Sequence, residues 1–105
     1  MVKDRPEKAD NLLEKIRWCI ERRKFRLTPH CVTRQKQRSI GLPDITFVLL
    51  NGFHEEEKTK FNEEFNTWKY AIRGKTLDKI DIRVIVAFEK DMVIITAIRM
   101  KRRKK

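Results

Sequence analysis

Three side chains that suit phosphate chemistry recur every four residues in one short segment. His30, Arg34 and Arg38 stand at positions i, i+4 and i+8. Four residues advance a helix by about 400°, so a helix would hold all three within an arc of roughly 80°. Histidine titrates near neutral pH, and a guanidinium group can bind two phosphate oxygens at once. The spacing therefore predicts a surface that meets an RNA phosphodiester, with His30 as acid or base and the arginines stabilising charge.

Plainer explanations of the same residues stay open. His30 could bond a neighbouring backbone group at a helix start, and Arg34 and Arg38 could form a solvated helix face. The chain has no glycine-rich phosphate loop, nucleophile elbow or paired-carboxylate motif, which argues against an NTPase, an α/β hydrolase and a glycosidase. His54 stands beside three glutamates, but no second histidine follows at ligand spacing. We therefore expect neither a metal site nor a cofactor.

The segment that carries His30 has its own helix signals. Thr28 can cap the first amides, and Pro29 suits the first helical position because it lacks an N–H group. Ser39-Ile40-Gly41 would end this helix, with Gly41 in a left-handed conformation. Apolar periodicity predicts two more helices, over residues 10–23 and 42–51. Alternation of apolar residues predicts strands over 66–73, 80–88 and 92–100, with an edge strand over 53–59, connecting segments at 25–27 and 60–64, and a turn at 89–91.

Three helices followed by four strands predict an α+β fold with two layers, in which N-terminal helices pack on one face of a four-stranded antiparallel sheet. Residues 1–100 would form a single domain, and 101–105 a basic tail. The alternation in residues 66–73 assigns Trp68 and Tyr70 to the core rather than to base stacking. The last strand is nearly all apolar, so we expect it to be covered on both faces.

The chain has 105 residues and a net charge of +11, which favours a polyanionic partner. Strand alternation places several cations on the sheet face without helices, and the end of the chain adds more. The candidate nucleic-acid contacts are Lys69, Arg73, Arg83, Arg99, Lys101, Arg102 and Arg103. Two isolated cysteines, no secretory signal and no long apolar stretch lead us to expect a cytoplasmic protein without a membrane span.

The sequence also resembles a domain-of-unknown-function family, number 4258. The likeness starts at Arg26-Leu27-Thr28-Pro29-His30 and includes Arg34, Arg38, Ile40 and Leu49-Leu50-Asn51-Gly52. Arg73-Gly74 and Thr96 match its later arginine-glycine pair and its last-strand threonine, so the match spans residues 25–100. The resemblance implies a fold similar to RelE and BrnT-type toxins, which are metal-independent ribonucleases of toxin–antitoxin pairs. It adds Arg73 and Thr96 to the candidate catalytic set of His30, Arg34 and Arg38.

Three functions follow as alternatives. The first is a small ribonuclease-like toxin, acting on RNA with or without ribosomes by transesterification, and neutralised by an acidic or DNA-binding antitoxin. The second is a module that binds nucleic acid without chemistry. The third is a basic domain that docks an acidic protein partner.

Overall fold

The part of the chain that the structure describes forms three α-helices and six strands, so the expected α+β class is confirmed. In this computed structural model the described residues are 6–100, apart from the side chain of Arg38. The elements in chain order are α1 (Leu12–Glu21), β1 (Phe25–Leu27), α2 (Pro29–Arg38), α3 (Leu42–Asn51), β2 (Phe53–His54), a short 3₁₀ turn (Glu56–Lys58), β3 (Lys60–Asn62), β4 (Thr67–Lys75), β5 (Asp81–Glu89) and β6 (Asp91–Arg99). The expected tail, including Lys101, Arg102 and Arg103, lies outside the described residues.

The sheet is six-stranded and mixed, so the expectation of four antiparallel strands was wrong. Its order is β1-β6-β5-β4-β2, and β3 also pairs with β4. β1 runs parallel to β6, whereas the other pairs are antiparallel. The sequence predicts connecting segments where β1 and β3 occur. Each has three residues, too few to show an alternating pattern. β1 is a strand because the distant β6 supplies its hydrogen-bond partners, whereas β3 pairs with β4, the next strand along the chain.

The first helix is shorter than its apolar pattern predicts, because left-handed residues bound it on both sides. Asn11 has φ 50° and Arg23 has φ 56°. At the C-terminal end, Arg23 N–H donates to Ile20 O at 3.1 Å and Lys24 N–H donates to Cys19 O at 2.7 Å. These two bonds form a Schellman motif, which normally places glycine where Arg23 stands. Arg22, Arg23 and Lys24 therefore follow the helix instead of forming its last turn.

A similar difference occurs between α2 and α3. The left-handed residue that ends α2 is Ser39, with φ 53°, and not Gly41. Gly41 instead precedes α3 with φ −86°, and its N–H donates to the Asp44 carboxylate at 3.0 Å. An anion in the first turn of α3 thus satisfies an otherwise unpaired amide, as expected near a helix N-terminus.

All three helices pack on one face of the sheet, as predicted. The buried core is one cluster to which each helix and the three long strands contribute: Leu12, Ile16, Cys19, Cys31, Ile40, Ile45, Val48, Leu49, Tyr70, Ile72, Ile82, Val84, Val86, Met92, Ile94 and Ala97. Tyr70 is buried as predicted, and its hydroxyl accepts a hydrogen bond from Ala9 N–H at 2.8 Å. Trp68 is only half-buried.

The opposite sheet face is partly open. Ile95, Thr96 and Ile98 of β6 are half-buried, so the expectation that β6 is covered on both faces was wrong. The predicted edge strand over 53–59 is also broken, because only Phe53 and His54 pair with β4 before the 3₁₀ turn begins. None of the helices within residues 6–100 has the length and apolar character needed to cross a membrane.

Candidate functional site

Thr28 fixes the start of α2 and therefore the position of His30. Its side-chain oxygen accepts a hydrogen bond from Cys31 N–H at 3.1 Å and donates one to Ile95 O at 2.8 Å. Its own N–H donates to Ile94 O at 3.1 Å. The two carbonyls are neighbours at an irregularity in β6, where the register with β5 skips Ile95. This extra residue leaves its carbonyl available for Thr28 and so ties the helix to the sheet.

His30 is exposed on the outer side of α2, one residue before the fully buried Cys31. It makes no hydrogen bond or ion pair with another described side chain. Its location in the first turn of a ten-residue helix is one where backbone amides and the helix dipole favour an anion. An imidazole held there by a buried neighbour is available to a phosphate ligand.

Arg34 lies one turn further along α2 and is half-buried. Its Nη1 donates to the Gln37 Oε1 at 3.0 Å, so it has a neutral partner. The helix sequence between Pro29 and Arg38 contains no aspartate or glutamate, so no acid within α2 offsets the charge of Arg34. The backbone of Arg38 closes the helix, and its side chain lies outside what the structure describes. His30 and Arg34 therefore lie on the same helix, as their spacing predicts.

Arg73 and Thr96 lie on a different surface. Arg73 follows the fully buried Ile72, and successive residues of a strand point to opposite faces, so Arg73 is on the face without helices. Thr96 pairs with Ile85 and precedes the buried Ala97, which places it on the same open face. The sheet thus separates Arg73 and Thr96 from the helix layer that carries His30. The five candidate catalytic residues do not form one site.

Carboxylates hold the two arginines of the open face. We call this set the Glu55 cluster: Glu55, Arg73, Asp81 and Arg83. Arg73 Nη2 and Nε donate to Asp81 at 2.7 and 3.0 Å, and Arg73 Nη1 donates to Glu55 at 3.2 Å. Arg83 Nε donates to Glu55 Oε1 at 2.6 Å and Nη2 to Oε2 at 3.3 Å. Both guanidinium groups therefore already have anionic partners.

The electrostatics of this cluster agree with its geometry. The hydrogen bond from Arg83, with a further bond from Arg73, lowers the pKa of the Glu55 carboxyl even though burial opposes the shift. The hydrogen bond from Arg73 likewise lowers the pKa of Asp81, and the bond to Asp81 raises the pKa of Arg73. Glu55, Asp81 and Arg73 are thus held in their charged forms, which favours a structural role over phosphate binding.

Sequence reasoning missed Glu55 and Asp81. Glu55 lies in the predicted edge strand over 53–59, which offers it no partner, yet its side chain is only 5% exposed. Its two acidic neighbours, Glu56 and Glu57, are exposed, and nothing in the sequence of these three glutamates indicates that the first is buried. The signal that could have found it is positional, since Glu55 directly follows a strand that pairs with Arg73.

The Arg73-Gly74 pair has a packing explanation. A Cβ on Gly74 would lie 3.1 Å from Gly52 Cα and 3.3 Å from Val48 Cγ1, and a Cβ on Gly52 would clash with the Arg73 carbonyl. The two glycines therefore let the end of α3 approach the β4 backbone closely. This contact positions Arg73 for the Glu55 cluster.

Two more of the predicted cations lie within the described residues. Lys69 is half-buried opposite Lys60 in the β3–β4 ladder, and Arg99 is exposed at the end of β6. His54 is half-buried, with its Nε2 2.7 Å from Thr59 Oγ1, and burial lowers its pKa. Across residues 6–100, no group of three or more His, Cys, Asp or Glu side chains is arranged to hold a metal ion.

Comparison with known proteins gives one result. A family model described as "Domain of unknown function (DUF4258)" matches residues 27–99, which run from the end of β1 to the end of β6. Neither the curated proteins nor the solved structures give a significant match. The match leaves α1 outside the family region.

Proposed function

This chain belongs to the DUF4258 family, and from that premise we propose that it is a small ribonuclease-like toxin whose α2 surface meets RNA. The observation that carries the proposal is the exposed His30, anchored by Thr28 and Cys31 and followed one turn later by Arg34 on a helix without acids. The net charge of +11 supports a polyanionic ligand.

The chemistry is transesterification without a metal. His30 takes the proton of the ribose 2′-hydroxyl, and the 2′ oxygen then bonds to phosphorus while the bond from phosphorus to the 5′ oxygen breaks. The departing 5′ oxygen takes a proton from water, so the products are a 2′,3′-cyclic phosphate and a 5′-hydroxyl. Arg34, with Arg38, stabilises the charge that develops on the phosphate oxygens.

The neutralising partner and the compartment belong to the same proposal. A chain of this charge would be held inactive by an acidic protein, or by the acidic part of a DNA-binding one. Cys19 and Cys31 are free, buried thiols, which fits a reducing cytoplasm. We also propose, as part of the same function, that the chain is related to RelE and BrnT-type toxins.

A second candidate is an RNA-binding module that performs no chemistry. It is favoured by one observation, the engagement of Arg73 by Glu55 and Asp81 on the sheet face opposite the helices. Without Arg73 and Thr96, the α2 surface offers one titratable group and cations. These groups are sufficient for RNA binding, but they are few for RNA cleavage.

One experiment separates these functions. The purified protein is incubated with labelled RNA in EDTA, with and without ribosomes, beside His30→Ala, Arg34→Ala and Lys36→Ala. Lys36 is the matched control for Arg34, because it is an exposed α2 cation two residues, and so about 200°, away. The toxin proposal expects cyclic-phosphate ends from the wild type and from Lys36→Ala, and none from His30→Ala.

Each other outcome has a meaning. Binding that Arg34→Ala weakens, with intact RNA in every reaction, supports the binding module and rejects the toxin. Cleavage that survives His30→Ala rejects the assigned mechanism. No binding at physiological salt rejects both functions and leaves the acidic-protein partner as the explanation of the charge.

A further inference from the structure

An exposed tryptophan lies on α1, outside the family region. The buried positions of this helix are Leu12, Ile16 and Cys19, and Trp18 points away from them with 45% of its surface exposed. The described contact of its ring is with Arg22, whose guanidinium carbon lies 4.7 Å from the ring centroid. Residues four apart share a helix face, so this stack is a local pair that does not serve the core.

Trp68, the second tryptophan, makes the contacts expected of a structural residue. Trp68 is half-buried, its Nε1 donates to Pro6 O at 2.7 Å, and its ring meets Phe61 edge-to-face at 5.2 Å. Trp18 has no comparable hydrogen bond or aromatic neighbour among residues 6–100. Its large exposed apolar surface therefore lacks a structural explanation.

Arg22, which contacts the exposed ring, begins a run of three cations. Arg22, Arg23 and Lys24 follow α1 directly, and all three are exposed. The negative end of the helix dipole explains why cations are tolerated there, but it does not explain the aromatic. Arg23 also occupies the left-handed position of the Schellman motif, which glycine would fill with less strain. Arg23 thus stands at a backbone position whose conformation favours glycine.

We propose that Trp18, Arg22, Arg23 and Lys24 form a second RNA-contact site, in which a single-stranded base stacks on the indole and the cations hold the adjacent phosphates. Aromatic side chains within a basic surface bind single strands in this way, with little sequence preference. The inference rests on the proposed function only for the identity of the ligand, because it uses no residue of α2. It gives the chain a contact that tethers RNA independently of the reacting phosphate.

The fluorescence of the two tryptophans allows a direct test. Trp68→Phe leaves Trp18 as the single tryptophan, and Trp18→Phe leaves Trp68. Each variant is titrated at low salt with 2′-O-methyl oligouridylate, whose blocked 2′ oxygen cannot attack phosphorus, and with an abasic oligonucleotide of equal length. We expect the uridylate to quench Trp18 strongly, the abasic strand to quench it weakly, and neither to change Trp68 emission.

Affinity measurements on otherwise wild-type protein keep the test valid if Trp68→Phe does not fold. Trp18→Ala should weaken uridylate binding roughly tenfold. Arg23→Gly should weaken it several-fold and reduce the salt slope by about one, while raising the melting temperature by relieving the left-handed arginine. Lys79→Gly is the matched control. Lys79 is also an exposed cation with φ 64°, but it precedes β5, whereas Lys24 lies near the opposite end of that strand.

Four results would overturn the site. Equal losses of affinity in Arg23→Gly and Lys79→Gly would show diffuse attraction, and binding without any effect of Trp18→Ala would place the contact elsewhere. Quenching of Trp18 by polyglutamate as strongly as by uridylate would indicate a protein partner. If Trp18→Ala leaves binding unaffected, the proposed function survives. A complete absence of uridylate binding rejects both the second RNA-contact site and the proposed function.

Discussion

Arg73 and Asp81 form a two-pronged ion pair, with Nη2 to Oδ2 at 2.7 Å and Nε to Oδ1 at 3.0 Å. This geometry uses the arginine fork in the way that a phosphate ligand would. Asp81 begins β5 and Arg73 lies near the end of β4, so the pair fastens the connection between the two strands. A phosphate could bind Arg73 only by displacing a carboxylate that is already in place, which favours a structural role for Arg73.

The Glu55 cluster leads to a stability prediction. Glu55→Gln removes the charge that holds Arg73 and Arg83, so we expect a loss of roughly 3–5 kcal/mol in the free energy of unfolding, because two arginines lose their buried partner. Urea denaturation measures it. Glu56→Gln is the control, since Glu56 is exposed one residue away and should change stability by less than about 0.5 kcal/mol. Equal effects of the two variants would contradict a structural cluster.

Burial of His54 predicts a loss of stability in mild acid. Its pKa is lowered from 6.5 by burial, so the unfolded chain binds the proton more readily than the folded one. Stability contributed by neutral His54 is therefore complete above pH 6.5 and decreases as the pH falls toward the lowered pKa of the folded state. Unfolding curves between pH 7.5 and 5.0 should show this decrease in the wild type and much less of it in His54→Gln. An identical pH dependence in both would refute the assignment.

Acidic pH should also weaken the Glu55 cluster, at lower values. The pKa of Glu55 and Asp81 is lowered by the arginines from ordinary values of 4.5 and 3.8. Their contribution to stability is present above those values and is lost as the pH falls through the lower pKa of the folded state. Thermal melts between pH 5 and 2 should show a steep loss in the wild type and a shallower one in Asp81→Asn.

Close packing of two glycines predicts a large effect of one methyl group. In Gly52→Ala the new Cβ would lie 2.6 Å from Val48 O and closer still to the Arg73 carbonyl, and neither backbone atom can move easily. We expect a loss of about 3 kcal/mol in the free energy of unfolding. Gly41→Ala is the control, because its Cβ would meet Pro43 Cδ at 3.4 Å, an ordinary distance. Comparable denaturation midpoints for the two variants would argue against the close contact.

The anchor of α2 can be tested by removing one hydroxyl. Thr28→Val keeps the side-chain shape but loses the bonds to Cys31 N–H and Ile95 O, so we expect a cost of about 2 kcal/mol in stability. Because Thr28 also positions His30, RNA binding should weaken even at temperatures where the variant is folded. Thr33→Val, at an exposed α2 position, should leave binding unchanged. Unaltered binding by a folded Thr28→Val would separate the anchor from function.

Local signals in the sequence were sufficient for much of the helix layer. Thr28 and Pro29 predict the start of α2, and the structure shows both the threonine cap and the proline in the first turn. The alternation around Tyr70 and Ile72 predicts a strand with one buried face, and both residues are buried. These features depend on capping bonds and on side-chain period, which act over a few residues.

Pairing between distant segments could not be predicted in this way. β1 is a strand because Phe25–Leu27 find β6 almost seventy positions later, and Glu55 is buried because Arg83 and Arg73 reach it from two other strands. A three-residue segment is too short to show an alternating pattern, and the sequence around a glutamate does not reveal which distant residue will pair with it. Long-range contacts of this kind exist only once the chain has folded.

The sequence by itself thus determined the α+β class, the helix that presents His30 and Arg34, and the family to which the chain belongs. Strand alternation also predicts that Arg73 lies on the sheet face without helices, but only the tertiary structure showed that Glu55 and Asp81 are its partners there and that Thr96 lies on the same face. The physical reason is that composition and spacing report the chemistry a side chain can perform. Which partner it has depends on strand register, because a shift of one residue would turn every side chain of β4 to the other face.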